Sequence, residues 1–510
     1  MTFPNPASPF DRRAFLGVGS LAGAAWGLRS ITSLPVWPIA MQQPLRPQVR
    51  PHAHIRLRGR RDQIALRPGP TTSVARYEGT LVSGTASHLQ TIPGSYFGPI
   101  LRFHQGQRAR IDFQNELMED SIIHWHGLEV PADMDGHPEQ AVPSGSSYTY
   151  DFTVLNRAGT YWYHPHPDMR TGYQVSAGLA GLFIVSDDEE AALSLPRGEF
   201  DVPLAIQDRR IDRGNQLLYN HDTVAGFLGN EMFVNGFPDY VLDVKTRIYR
   251  LRVVNASNSR VYKLAFSDGT PMVVIGNDGG LLAAPVTKPY VMLSPGERVE
   301  LWADFSGKLV GAEFFLQSLP FTVAGPSGGQ TPVNGAPLDL CKVHVVAADT
   351  ETLTLPVTLS AIMPYDVNQA VNFGSPRSLP ITIGMGMWLV NNAPFGMNDV
   401  APNEYIQRGD LELWEFTNTF GMTQMLHPMH LHGPQFQVHS RQITPAGAAN
   451  YETIRYGFVD EGWKDTIIVA PGETVQFLVR HANFAGKFLY HCHNLEHEDM
   501  GMMRNYVVMP

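Results

Sequence analysis

The sequence predicts an all-β fold of three related modules, built as Greek-key β-sandwiches or barrels. Three observations lead there. Gly (47) and Pro (39) are plentiful among 510 residues, which suits many strands joined by turns. Apolar and polar residues alternate with period two along most segments, and long 3.6-period stretches are few. Finally, the chain repeats itself at the spacing of whole domains.

The repeats come in two sets. "PSGSSYTYDFTV" (143–154), "SPGERVELWADFS" (294–306) and "APGETVQFLVRHA" (470–482) share a Pro, a nearby Gly and an alternating strand. Upstream of each lies a second strand motif: "RARIDFQN" (108–115), "YRLRVVNAS" (249–257) and "LELWEFTN" (411–418). Pro143, Pro295 and Pro471 mark one point in each module. Polar stretches near 186–200 and 346–356 read as linkers, so the chain divides into a leader (1–45) and modules at 46–190, 191–350 and 351–510.

Composition narrows the function classes. Apolar content of 43% and charged content of 17% are those of a soluble globular protein. A formal charge of -10 argues against nucleic-acid binding. The leader resembles a twin-arginine export signal, with Arg12-Arg13 before a short Gly/Ala-rich apolar run (11–28) too short to span a membrane. The expected destination is the periplasm or the cell exterior, reached through the twin-arginine machinery, with no membrane span in the mature form. A monomer is expected.

Two cysteines, Cys341 and Cys492, make a poor disulfide pair. Cys341 reads as a small buried hydrophobe. Cys492 lies between two histidines in "HCHNLEHEDMGMM" (491–503). A structural cysteine needs no such neighbours.

Histidine placement sharpens the question. Chance would give fewer than one His-x-His pair, and there are five: His52/His54, His124/His126, His164/His166, His430/His432 and His491/His493. Residues i and i+2 of a strand share a face, so each pair offers two imidazoles to one site. Four pairs fall at corresponding places of the first and third modules: "HWHG" with "HLHG", and "YHPH" with "YHCH". The middle module has "LAFSDG" (264–269) instead. Eight imidazoles held between the outer modules suit several metal ions rather than one. The fifth pair, "PHAH" (51–54), reads as an ordinary strand or loop feature.

Within "HCH" the cysteine points to the opposite face from His491 and His493 and so addresses a different metal. His497, Met502 and His427 of "HPMHLHG" (427–433) complete a His₂Cys site with a weak thioether, a donor set that favours copper over zinc. Met500 and Met503 are rivals to Met502 by spacing.

Together, "HWHG", "HPH", "HPMHLHG" and "HCHNLEHEDMGMM" resemble the four copper motifs of three-domain multicopper oxidases, the bacterial laccase and copper-efflux-oxidase family. The resemblance spans roughly residues 50–510 and implies cupredoxin-like domains. It implies four coppers, with type 1 copper on His427, Cys492, His497 and Met502. Type 2 copper would take His124 and His430. The type 3 pair would take His126, His164, His166, His432, His491 and His493. Electrons from a small-molecule or metal-ion reductant would enter at type 1 copper, and O₂ would be reduced to water at the trinuclear cluster. Asp135 and Glu498 match acidic positions that relay protons in family members.

Copper-efflux oxidases add a Met/His-rich segment in the last domain. Here residues 362–399 carry only Met363, Met385, Met387 and Met397, read as packing, and no His. Met425 matches the Met that precedes the first type 1 His in those enzymes, but Thr423 stands where they have Asp. Phenols and aromatic amines are therefore the expected donors. Cu(I), Fe(II) or Mn(II) are the alternative, and a copper-binding envelope protein without turnover is a third class.

Overall fold

The repeated motifs lie on neighbouring strands in all three modules. The computed structural model describes residues 50–322, 329–384, 386–419, 421 and 424–510. The twin-arginine leader, Met385 and Thr423 lie outside the described residues. Arg108–Asn115 pairs antiparallel with Ser147–Thr153, Ile248–Asn255 with Arg298–Asp304, and Leu411–Asn418 with Glu473–Arg480. Each upstream strand also pairs in parallel with an earlier one: Ala53–Ile64, Asp201–Arg209 and Arg377–Gly384. One parallel pair inside an otherwise antiparallel sheet requires a crossover between layers, as in a Greek-key sandwich.

Among the described residues the strands form six sheets, two from each module. In the first module a four-stranded sheet faces the five-stranded sheet that contains Ile123–His126 and Gly159–Pro165. The third module repeats this with two five-stranded sheets, one of which holds His427–Leu431 and Gly486–Cys492. Inward residues of each pair build a separate core, around Trp125, Leu251 and Trp414 respectively. Each fully buried aliphatic or aromatic side chain there contributes about 1.5–3 kcal/mol. Two smaller apolar clusters seal the modules together. One joins Trp162 and Leu182 to Val254; the other joins Val261 and Met292 to Leu426 and Phe458.

The middle module departs from its sequence pattern. "YRLRVVN" alternates as if one face met water, yet every residue of Ile248–Asn255 is buried. Its polar face packs against the first module, and ion pairs make that possible. Arg250 and Arg252 bind Glu300 at 2.5 and 2.8 Å, and the hydroxyl of Thr160 in the first module donates to Glu300 at 2.7 Å. The stretch read as a linker near 186–200 joins the same network. Asp187 caps a short helix, Asp188–Ala191, and Glu190 on that helix is buried against Arg250 and Arg252. Polarity there reflects ion pairing rather than solvent. Among the methionines of 362–399, Met363 departs from the expected packing at 80% exposed, whereas Met387 and Met397 are half-buried. Cys341 is buried and unpaired, as a small hydrophobe would be. Among the described residues no helix is long and apolar enough to cross a membrane.

Candidate metal centre

Four strands, two from each outer module, bring eight histidines to one buried interface. Ile123–His126 pairs with Gly159–Pro165 in a register that sets His124 opposite His164. His427–Leu431 pairs with Gly486–Cys492 so that His430 meets His491 and Met429 meets Cys492. Alternation sends Trp125 into the core of the first module and its flanking histidines toward the third. The pairs then interlock. The His124 ring stacks on His432 at 3.7 Å, and His126 stacks on His430 at 3.8 Å. All eight rings are at most 1% exposed.

Two glycines make the approach possible. Gly127, which closes "HWHG", has φ +85, and a Cβ there would lie 2.5 Å from both Arg298 Nη2 and Asp465 Oδ2. Gly296, from the Pro-Gly turn of the middle module, has φ +88, and its Cβ would sit 2.9 Å from the His126 ring. The module without histidine pairs thus lays its backbone against the cluster.

Hydrogen bonds at Nδ1 fix which nitrogen five of the rings present, while Nδ1 of His166 and His493 is buried without a partner. His124 Nδ1–H donates to the Asp135 carbonyl and His430 Nδ1–H to the Asp465 carbonyl, both at 2.8 Å. A carbonyl only accepts, so Nε2 of each neutral ring carries a lone pair. Those two lone pairs face each other at 3.3 Å. The same holds for His164 and His491, whose Nδ1–H groups donate to Pro165 O and Cys492 O. Nε2 of His491 lies 3.0 Å from His432 Nε2, and Nε2 of His164 lies 3.4 Å from His493 Nε2. Burial holds the rings neutral, pushing His164 down to about 3 and His430 to about 4. Neutral nitrogens aimed at one another without a shared proton repel, and cations between them remove that repulsion. The donor set therefore fits metal ions of the imidazole-seeking kind, copper included.

His126 is the exception. Its Nε2 lies 3.1 Å from both Asp465 Oδ1 and Thr466 Oγ1, which leaves Nδ1 buried and without a partner. Burial pushes the Asp465 carboxyl up, but Arg298 together with His430 and Thr466 holds it below the usual carboxylate range. Asp465, Thr466 and Arg298 are site residues that the sequence did not single out. Arg298 lies in a repeated strand motif, but nothing in the repeat marks it as a site residue, and it meets Asp465 across 167 positions.

The second cluster lies on the other face of Gly486–Cys492. Cys492 Sγ is 3.5 Å from His427 Nδ1 and 3.7 Å from His497 Nδ1. A short helix, Leu495–Asp499, capped by Asn494, turns His497 back toward the sulfur. Met502 is fully buried in the apolar cluster that holds Cys492, whereas Met503 lies across from His491 on the neighbouring strand. Burial pushes the Cys492 thiol up, so a metal must displace the proton to gain the thiolate.

Two buried carboxylates adjoin the eight histidines. Asp135 Oδ2 accepts from His432 Nδ1–H at 2.7 Å, and burial pushes its carboxyl well up. Glu498 lies 3.2 Å from His491 Nδ1 and 3.5 Å from His166 Nε2. Burial, then the adjacent Asp499, Glu496 and Asp168, push its carboxyl up; Asp499 itself is raised to about 8. His52 and His54 take no part. His54 binds Asp112 at 2.6 Å, and His52 Nδ1 accepts from the Arg108 amide.

A family model described as multicopper oxidase matches residues 74–190, and a second of the same description matches 367–510. The chain is similar to a laccase of Bacillus subtilis strain 168, with 32% identity over 475 residues, covering 86% of this chain and 88% of that protein. It is also similar to the cell division protein FtsP of Xenorhabdus nematophila, with 31% identity over 435 residues covering 82% and 85%. Among solved structures, the McoA multicopper oxidase of the hyperthermophile Aquifex aeolicus superposes with a TM-score of 0.77. It is 33% identical, and the match covers 90% of this chain and 97% of that one.

Proposed function

The chain belongs to the multicopper oxidases, oxidoreductases that use O₂ as acceptor, and we propose that it is one of laccase type acting on phenols and aromatic amines. Type 1 copper would be held by His427, Cys492, His497 and Met502, and type 2 copper by His124 and His430. The type 3 pair would be held by His126, His164, His166, His432, His491 and His493. Bound copper supplies one-electron redox chemistry, collecting electrons singly from the donor and delivering four to O₂. The observation that carries this reading is the set of buried imidazole nitrogens facing one another at 3.3–3.4 Å across the two outer modules. A binding protein without turnover has no need for a complete donor set of twelve joined by a direct covalent path.

The chain's own residues do the rest. Cys492 is flanked by His491 and His493, so two peptide bonds link the sulfur site to the histidine cluster. Hydrogen bonds stiffen that link: the Cys492 amide donates to Met502 O at 3.0 Å, and His491 Nδ1–H donates to Cys492 O at 3.1 Å. Reducing one O₂ to water consumes four protons. Glu498 Oε2, beside His491, is a carboxyl held protonated by its surroundings and able to donate one. Asp499, whose carboxylate accepts the Thr171 and Gly172 amides, and exposed Asp168 continue the acidic line toward solvent. Asp135 holds the His432 proton on Nδ1, which keeps Nε2 free as a ligand.

Phenols are favoured over metal ions by a specific observation. Among the described residues, every group of three convergent His, Cys, Asp or Glu side chains belongs to the two clusters above. None is left over to seat a metal-ion substrate. The three sheet pairs support domains at 46–190, 191–350 and 351–510, and the twin-arginine stretch supports export. The deciding experiment compares kcat/KM for a phenol, Cu(I), Fe(II) and Mn(II) on copper-loaded enzyme by O₂ uptake. The phenol should lead by about tenfold or more; a metal ion in the lead overturns the donor assignment.

A further inference from the structure

The carbonyl oxygen of Val224 accepts from two sides of the type 1 site at once. His497 Nε2–H reaches it at 2.8 Å and Trp388 Nε1–H at 3.3 Å. Because His497 Nδ1 faces the Cys492 sulfur, Nε2 is its outward nitrogen, the atom a phenol would need for a hydrogen bond. The chain satisfies that atom with its own backbone. The indole of Trp388 covers the rest, with its ring 4.4 Å from His427 and 5.6 Å from His497. Nε2 of His427 is buried and has no partner beneath it.

The segment carrying Val224 is firmly held. Asp222 Oδ1 accepts the Val224 and Ala225 amides at 2.8 Å, and Asp222 and Gly226 exchange backbone hydrogen bonds. Gln330 donates to Gly226 O at 2.6 Å and accepts the Leu228 amide at 2.9 Å. Gly226 has φ +78, and a Cβ there would lie 2.1 Å from Ser259 Oγ. Such a segment is a fixed wall rather than a loop waiting to open.

The geometry points to a self-capped type 1 centre, in which Trp388 and the Val224 carbonyl keep donors off both histidine edges, so that phenols are oxidised by outer-sphere transfer across the cap and small phenols are favoured over bulky ones. This rests on the laccase-type reading and narrows its substrate class. A phenol oxidised here loses one electron across the cap to the bound copper(II), which becomes copper(I), and its proton goes to bulk water. Trp388 lies on the strand Met387–Val390, and the assigned copper ligands make no use of it.

The test uses copper-loaded enzyme and the variants Trp388→Ala, Trp388→Leu and Trp388→Phe. Leucine keeps apolar contact with the core if alanine fails to fold. Bleaching of the blue band is followed without oxygen, using hexacyanoferrate(II) and 2,6-dimethoxyphenol. Extraction of copper(I) by bathocuproine disulfonate is followed separately. Uncovering the rings should raise the phenol-to-hexacyanoferrate rate ratio by about tenfold and speed extraction by a similar factor, while phenylalanine leaves both within about threefold of wild type. An unmoved ratio together with unmoved extraction overturns the cap. Slower bleaching with both donors also overturns it, since Trp388 would then conduct electrons rather than exclude donors. If hexacyanoferrate(II) bleaches the band and no variant responds to the phenol, the laccase-type reading fails, and extraction alone decides the cap.

Discussion

Arg298 of the middle module grips Asp465 of the third with two hydrogen bonds, at 2.6 and 2.5 Å, and both side chains are buried. Asp465 in turn lies against His126 of the first module, so all three modules meet at one carboxylate. The module that lacks histidine pairs thereby sets the tautomer of a proposed type 3 ligand. With the proton of His126 held on Nε2, Nδ1 is the atom left to bind.

Replacing Arg298 with Met strands a buried carboxylate, which costs about 3–5 kcal/mol. Urea unfolding of the metal-free protein should show that loss. In copper-loaded protein the near-ultraviolet absorption of the type 3 pair should fade while the blue band persists. Replacing Asp465 with Leu in the same variant should restore most of the stability, because no charge is then left unpaired. It should not restore the type 3 signal, because His126 has then lost its carboxylate acceptor. Recovery of both would show that Arg298 acts on stability alone.

Cys492→Ser should abolish both blue colour and turnover. In the proposed type 1 site the sulfur would be the charge-transfer ligand and the start of the covalent path to His491 and His493, and a serine hydroxyl would replace neither. Copper bound by the eight histidines should remain, because their hydrogen bonds do not involve the sulfur. Elemental analysis with visible spectroscopy checks this, and retained turnover would sink the type 1 assignment.

What the sequence revealed depended on the range of the physics involved. His124 with His126, and His491 with His493, were legible because strand alternation places i and i+2 together whatever the rest of the chain does. Cys492 could be separated from its neighbours by the same rule. Arg298 and Asp465 were invisible because their contact joins distant positions and carries no local period. The Val224 carbonyl has no side-chain signature at all. Arg250 and Arg252 misled for a related reason: alternating charge on a strand suggests a wet face, and only the tertiary position of Glu190 and Glu300 makes that face dry. Met363 misled in the opposite sense, an apolar residue left in solvent.

Met502→Leu should raise the type 1 potential with the cluster still loaded. As a proposed weak donor to type 1 copper, the thioether would be replaced by a leucine that fills similar space while donating nothing, so copper(I) would gain relative to copper(II). Met502 is fully buried beside Cys492, and isosteric exchange there costs little stability. A redox titration of the blue band checks the shift; an unchanged potential would show that Met502 is not axial.

His481 supplies a pH dependence that involves no metal. Its ring is buried against Trp414 and Tyr506, neither nitrogen has a partner, and burial followed by the Arg377 charge pushes it down to about 3. In the unfolded chain it titrates near its ordinary value of about 6.5. Between these values the unfolded state binds a proton that the folded state refuses. The stability this ring permits is therefore whole above pH 6.5 and drains away as pH falls toward 3. At pH 5 the loss is about 2 kcal/mol. His481→Phe keeps the aromatic packing and removes the titrating group, so its stability relative to wild type should improve by about that much between pH 7 and pH 5. Denaturant unfolding of metal-free protein at the two pH values measures the difference. Parallel stability curves for the two proteins would mean that His481 is already protonated, or solvated, in the folded state.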